Sequence, residues 1–249
     1  MQVALIVVMA FIFCLIGYAF GSIMFGVIIA RLFNKDIRNV GSRNPGATNV
    51  SRTLNKKLAL VVSLLDALKG YIAIIVCWII FRYTIFDLWS NNSYSLIPLV
   101  YLSGTMSVIG HCFPVQYIIA LCRFKFDWKK AQKYSGGKGV STTGGILFAV
   151  SPWLGLIAFG IWLTILLATR YVSLGSMFCM LLTVFLIFID KLNFLYLFDR
   201  SLLFHNPLFI NWSIRCGLFA LLLINAMIVI ARHYPNIQRL LKHQERKFF

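Results

Sequence analysis

The chain has 249 residues, 60% of them hydrophobic and only 12% charged, with a net charge of +17. A soluble globular domain carries roughly twice that share of charge, which excludes a soluble fold; apolar stretches of about 20 residues recur instead, as membrane spans do. The positive charge is confined to a few loops between apolar runs, which argues against a nucleic-acid partner and for loops facing an anionic leaflet. The expected class is an all-α polytopic membrane protein, one domain over residues 1–249, with about seven transmembrane helices including one short half-helix.

Residues 3–30 are apolar, with no basic residue before Arg31. They lack the charged start of a signal peptide and are expected to form the first span, roughly 3–33. Gly17, Gly21, Ser22 and Gly26 within it let another helix approach closely. A hydrophilic loop, 34–57, follows. Its run from Arg38 to Arg52 holds Gly41, Ser42, Asn44, Pro45, Gly46, Thr48 and Asn49, too many turn formers for an ordinary helix. Three arginines and no acid in that window suit an oxyanion. A solvated basic loop is the plainer alternative.

The second span, 58–81, carries Asp66 and Lys69 three residues apart, where the two charges can neutralise each other. Ionisable groups inside a membrane mark a functional site by default, and a structural ion pair bracing the bundle fits equally well. A short connection near 83–94 leads to a third span, 95–109, which Gly110-His111-Cys112-Phe113-Pro114 then breaks. Residues 115–135 mix aromatics with Arg123, Lys125, Lys129, Lys130 and Lys133, as in a basic segment lying on the membrane.

The stretch Gly136-Gly137-Lys138-Gly139-Val140-Ser141-Thr142 comes next. Bare glycines would leave N–H groups open to a bulky anion, Lys138 adds a point charge, and small hydroxyl residues suit the first turn of a helix. The dipole of that helix, the short fourth span 139–150, would face the same anion. A flexible glycine turn is the plainer alternative. It is no Walker A loop, because Gly139 follows the lysine and Gln132 stands where the first glycine belongs.

Residues 152–169, 172–189 and 208–231 make three further spans, with Arg215 expected to snorkel. The tail, 232–249, places His233 and Asn236 one turn apart. The six cysteines show no metal-ligand spacing, and the seven acids and four histidines form no ligand cluster, so no metal and no cofactor is expected. Lysines and arginines concentrate in 31–57, 123–138, Arg170 and the tail, all on one side of a seven-span arrangement. The other side has Arg82, Lys191 and Arg200. The positive-inside rule then puts the N-terminus outside and the C-terminus and all three polar constellations on the cytoplasmic face.

Five motifs in order and spacing resemble one family: Gly41 to Asn49, Leu65 to Gly70, Gly110 to Pro114, Gly136 to Thr142, and Arg232-His233 with Asn236 and Glu245. The chain is similar to the bacterial membrane glycerol-3-phosphate acyltransferases that use acyl phosphate as donor, the PlsY family. The resemblance implies an inner-membrane enzyme of phospholipid synthesis, active at the cytoplasmic face and forming lysophosphatidic acid and phosphate. Its partners would be glycerol 3-phosphate, acyl phosphate, membrane lipid and, through the long connection, the enzyme that makes the donor. Ser42, Arg52, Lys138, His233 and Asn236 match the family's catalytic residues, and Gly136, Gly137, Gly139, Val140, Ser141 and Thr142 its phosphate loop. Asn44, Gly46, Thr48, Asn49, Asp66, Lys69, His111 and Glu245 would support the site, whose loops are 34–57 and 110–142. Arg43 and His243 stand where the family usually has glycine.

The sequence lacks the H-x-x-x-x-D pair of other acyltransferases: Gln116 and Gln238 stand five residues after the two candidate histidines. The expected chemistry is direct transfer, with Arg52, His233 and Asn236 on glycerol 3-phosphate, Lys138 and the glycine N–H groups on the donor, and the proton passing to the donor's phosphoryl oxygen. A transporter for a phosphorylated anion shares the half-helix and basic funnel. The clustering of polar residues on one face favours the enzyme.

Overall fold

A computed structural model of the protein describes residues 2–86, 96–189 and 212–249. The expectations for Lys191, Arg200, the Arg215 side chain, residues 208–211 and most of the connection 83–94 lie outside the described residues. Every regular element described is helical: α1 (Gln2–Gly21), α2 (Phe25–Leu32), α3 (Ala47–Thr53), α4 (Lys56–Phe81), α5 (Ile97–Cys112), α6 (Val115–Arg123), α7 (Trp128–Ala131), α8 (Val140–Val150), α9 (Pro152–Thr169), α10 (Val172–Ile189), α11 (Trp212–Arg232) and α12 (Tyr234–Leu241).

Among the described residues three helical stretches are long and apolar enough to cross a membrane: Val3–Leu32, Lys56–Thr84 and Pro152–Thr169. Two bent pairs among those residues pass the same test: α5 with α6 at 52°, and α11 from Cys216 with α12 at 54°. α8 and α10 supply shorter apolar helices. Large apolar side chains such as Phe11, Leu60, Leu64, Leu167 and Phe185 point outward. Lipid, not water, is the solvent such a surface suits. Phe13, Ile74, Phe81, Tyr101, Leu154 and Leu218 fill the interior.

Local chemistry sets the helix boundaries. Asn55 caps α4, its side chain accepting from the N–H of Leu58 at 2.8 Å. Pro152 opens α9 directly after Ser151, the single residue that separates it from α8. α4 and α5 form the centre, with α1 and α11 against α5 and α8 against α4. Gly17 and Gly21 sit on the backbone of Ser103 and Ser107 in α5, and Gly145 sits on Ala67 in α4. A side chain at any of them would collide with a neighbouring backbone, so small residues set these helix separations.

The first span is one apolar stretch, Val3–Leu32, with a break at residues 22–24 between α1 and α2. Two expectations are corrected. The first loop contains a true helix, α3, despite its polar composition. Val50 is fully buried, and the hydroxyl of Thr53 bonds to the carbonyl of Asn49 at 2.8 Å, so tertiary packing outweighs poor propensity. The third span continues to Cys112, which places Gly110 and His111 inside α5 and moves the break to Phe113-Pro114.

The basic segments expected on one face do meet at one end of the bundle. Arg38 reaches the carbonyl of Tyr134 at 3.4 Å, and Arg52 that of Arg246 at 3.4 Å. The N–H of Phe248 bonds to the carbonyl of Arg170 at 2.8 Å.

Candidate active site

The stretch 136–142 is held from two sides. The C-terminus of α5 has carbonyls with no partner further along the helix, and two of them take the loop's first N–H groups: Gly136 to Cys112 at 3.0 Å, Gly137 to His111 at 3.1 Å. On the other side Arg232, at the end of α11, donates to the carbonyls of Gly136 (2.9 Å) and Gly137 (3.2 Å). Its guanidinium also lies 5.2 Å from the ring centre of Phe113.

This corrects the expectation for Gly136 and Gly137: their N–H groups are consumed by α5 and do not face an anion. Their bareness serves packing, since a side chain at either would strike His111. Gly139 does differ. It caps α8 with φ of +84°, a left-handed conformation that glycine adopts without strain. The N–H groups of Lys138, Gly139, Val140, Ser141 and Thr142 meet no acceptor among the described residues; the next, Thr143, bonds to Gly139. The N–H groups left free to meet an anion are therefore those of the first turn of the half-helix. The Ser141 hydroxyl lies 3.0 Å from that of Ser63, and the buried Thr142 hydroxyl finds no partner among the described residues.

Lys138 projects from this turn, and its ammonium donates to Asn236 Oδ1 at 2.6 Å. Asn236 passes the contact on, its Nδ2 bonding to Glu245 Oε1 at 2.6 Å. Arg239 Nε donates to Glu245 Oε2 at 2.7 Å and the Ser173 hydroxyl to Oε1 at 3.1 Å. Glu245 thus gathers α10, α12 and the tail around the lysine. Burial would raise its pKa, but the bonds from Asn236 and Arg239 hold it below the usual carboxylate range. Burial lowers the pKa of Lys138 to about 8; Glu245 opposes that, and Arg239, Arg232 and Arg52 add to it. Four cations thus share one carboxylate, and the surplus is what an anionic ligand would balance.

His233 joins α11 to α12 and is almost completely buried. Its Nδ1 lies 2.7 Å from the carbonyl of Val229. A carbonyl only accepts, so Nδ1 carries the proton, and in the neutral ring Nε2 keeps a lone pair.

The first loop approaches through α3. Gly46 precedes that helix with its N–H on Asn44 Oδ1 at 3.0 Å, and Thr48 is half-buried in its first turn. Buried Asn49 works as an internal clamp: Nδ2 donates to the carbonyls of Ile37 (3.2 Å) and Val40 (3.0 Å), and Oδ1 accepts from the N–H of Ser42 at 2.8 Å. Arg52, on the last turn of α3, is exposed. Among the described residues its guanidinium makes one bond, 3.4 Å to the carbonyl of Arg246, which leaves most of its N–H groups without a partner there. Ser42 is exposed in the turn, and no contact joins it to Lys138 among the described residues.

Asp66, Lys69 and His111 form a separate, buried cluster. Lys69 lies 2.9 Å from Asp66 and 2.7 Å from His111 Nδ1, and donates to the carbonyl of Ile23 at 2.8 Å. An ammonium has no lone pair, so Nδ1 accepts and the histidine proton sits on Nε2, which abuts Gly137. The reading of residues alone paired Asp66 with Lys69 and missed the histidine, because nothing local links positions 42 apart. It also left Arg232, Arg239 and Ser173 out of the site. Glu245 is the tail's lone acid and so had to attract a nearby arginine; Ser173 gave no signal. No group of three or more His, Cys, Asp or Glu residues that could hold a metal ion occurs among the described residues.

The model of the family described as glycerol-3-phosphate acyltransferase matches residues 11–243. The chain is 37% identical to the glycerol-3-phosphate acyltransferase of Malacoplasma penetrans, over 96% of this chain and 93% of that one. It is also 37% identical to that of Aquifex aeolicus, over 93% and 95%. Among solved structures it is similar to PlsY (YgiH), an integral membrane glycerol 3-phosphate acyltransferase, in its glycerol 3-phosphate form, with a TM-score of 0.68 and 32% identity over 96% of each chain. The form of that enzyme with lysophosphatidic acid gives 0.67 and 31%, over 96% and 94%. With its family model matched over nearly the whole length and its apolar helices in place, the chain belongs to the glycerol-3-phosphate acyltransferase family of integral membrane proteins.

Proposed function

We propose that this protein moves a fatty acyl group from acyl phosphate to the 1-hydroxyl of glycerol 3-phosphate, releasing lysophosphatidic acid and inorganic phosphate at the cytoplasmic face of the inner membrane. The observation that carries the reading is the surplus of cations around Lys138 beside the unpaired N–H groups of the half-helix. Two phosphate-bearing substrates need two anion sites within reach of one another, and this junction supplies both kinds of donor.

In this account Lys138 and the N–H groups from Gly139 to Thr142 hold the acyl phosphate, while Arg52, His233 and Asn236 hold glycerol 3-phosphate, with Ser42 at the mouth of the first loop. The substrate hydroxyl attacks the carbonyl carbon, the bond from that carbon to the phosphate oxygen breaks, and the hydroxyl proton passes to a phosphoryl oxygen of the donor. A mixed anhydride has a good leaving group, so the enzyme's task is to align two anions and offset their charge. Alignment alone can supply about 7–11 kcal/mol of the barrier in favourable cases. His233 Nε2 keeps a lone pair and is the alternative acceptor for that proton. Replacing His233 by Gln separates the two routes: substrate assistance predicts weaker glycerol 3-phosphate binding with chemistry retained, and a histidine base predicts lost turnover with binding intact.

The donor assignment is tested by offering purified enzyme in lipid acyl phosphate, acyl-CoA or acyl carrier protein with glycerol 3-phosphate. Acyl phosphate alone should support turnover. Intact-protein mass spectrometry after mixing with acyl phosphate should show no acyl-enzyme; a trapped adduct would contradict direct transfer.

A further inference from the structure

A groove of about 330 Å³ runs along the outer surface between the α1–α2 break and the start of α6. Its wall includes Ala19, Ile23, Val27 and Val115, and Arg31 and Arg38 stand along it. The volume falls within the range of roughly 300–1,000 Å³ typical of ligand clefts. Arg31 lies in the last turn of α2, where the first span gives way to polar loop. Arg38 lies close enough that the two positive charges oppose each other, an effect the Asp36 carboxylate partly offsets. Among the described residues its guanidinium makes one hydrogen bond, a long one of 3.4 Å to the carbonyl of Tyr134, and its buried Nε finds no acceptor. The neighbouring carboxylate of Asp36 accepts from the backbone N–H of Arg38 and the amide of Asn39. Neither arginine belongs to the cluster around Lys138, which draws on Arg52, Arg232 and Arg239.

Two adjacent cations, one with an N–H lacking a partner, beside an apolar channel call for an anion that carries an alkyl chain. Ile23 and Val115 are exposed, so the channel opens sideways to lipid. A basic pocket between helices at the loop end of a span is a recurrent binding place for acidic headgroups. We propose that this groove holds one anionic phospholipid of the surrounding bilayer, its phosphate on Arg31 and Arg38 and one acyl chain along Ala19, Ile23 and Val115. Such a lipid would join α2 to α6 and steady the loop that Asn49 clamps, without entering the transfer site.

Native mass spectrometry of the full chain tests this, with phosphatidylglycerol or phosphatidylcholine added to the detergent-purified protein at equal concentration. One phosphatidylglycerol should be retained about tenfold or more over phosphatidylcholine. It should be lost in Arg31→Gln/Arg38→Gln and also in Ala19→Trp, which fills the wall and leaves both arginines. Glycerol 3-phosphate binding serves as the check that each variant is folded; if the double variant fails it, Ala19→Trp decides. Equal retention of the two lipids, or retention unchanged in a folded variant, overturns the proposal. Preferential retention of lysophosphatidic acid over phosphatidylglycerol also overturns it, by making the groove a product site.

Discussion

The cluster of Asp66, Lys69 and His111 and the cluster around Lys138 are built from the same kinds of side chain, and they differ in charge balance. In the first, one lysine meets one carboxylate and a histidine nitrogen, all three side chains buried on helices, and the carbonyl of Ile23 in the break between α1 and α2. The lysine and carboxylate charges balance. In the second, Lys138, Arg52, Arg232 and Arg239 share Glu245 at the junction of a half-helix, a loop and the tail. Positive charge is left over, together with unpaired N–H groups. A closed cluster suits bracing, and an open one suits binding. Both arise in a chain with only seven acids, so each acid's placement decides which kind of cluster forms.

The sharpest way to break the comparison is to open the closed cluster. Lys69→Ala leaves Asp66 buried without its cation and should cost about 3–5 kcal/mol of stability. Thermal unfolding in detergent reads this, and Asp66→Asn combined with Lys69→Gln should regain most of it. Wild-type stability with abolished turnover would make Lys69 a reacting group instead. Next in size, Lys138→Ala should lower kcat/KM about 10²–10³-fold, the usual loss for a buried donor to a reacting oxyanion, with an unfolding midpoint that does not fall. Glu245→Gln should cost about tenfold, because in this account it acts on substrate only by holding Asn236 in place. Equal losses in these two variants would contradict the assignment of Lys138.

A titration sharpens the same contrast. Lys138 has its pKa lowered to about 8 by burial, so it is mostly charged at pH 7 and loses its proton above pH 8. A bound phosphate favours the charged form, so affinity for substrate should fall as pH rises through 8, by at most about tenfold per unit. Lys138→Arg should remove that dependence even where it weakens binding, since a guanidinium stays protonated. The smallest effect concerns two departures from the family pattern. Arg43 and His243, where the resemblance leads one to expect glycine, adopt φ of +59° and +55°, the left-handed region that glycine takes without strain. Changing either to Gly should raise stability by up to about 1 kcal/mol in the same thermal assay.

Much of this was legible because membrane spans and charged loops are read from local composition. The half-helix at 140–150 and the helices 152–169 and 172–189 fall where periodicity and hydropathy placed them. α3 was not legible, because Asn49, Ser51 and Thr53 disfavour a helix in isolation and the burial of Val50 reverses that. The tie from Lys69 to His111 was hidden by sequence separation. The donors of Gly136 and Gly137 were misjudged for a related reason: composition shows that an N–H is uncovered, but only the end of α5 shows that it is already used.

The most direct test measures phosphate release and lysophosphatidic acid together, from purified protein in lipid supplied with acyl phosphate, with and without glycerol 3-phosphate. The account predicts release that requires both substrates, matches the lysophosphatidic acid formed one for one, and disappears in Lys138→Ala. Phosphate release undiminished without glycerol 3-phosphate, or no turnover but counterflow of labelled glycerol 3-phosphate across vesicles, would contradict it.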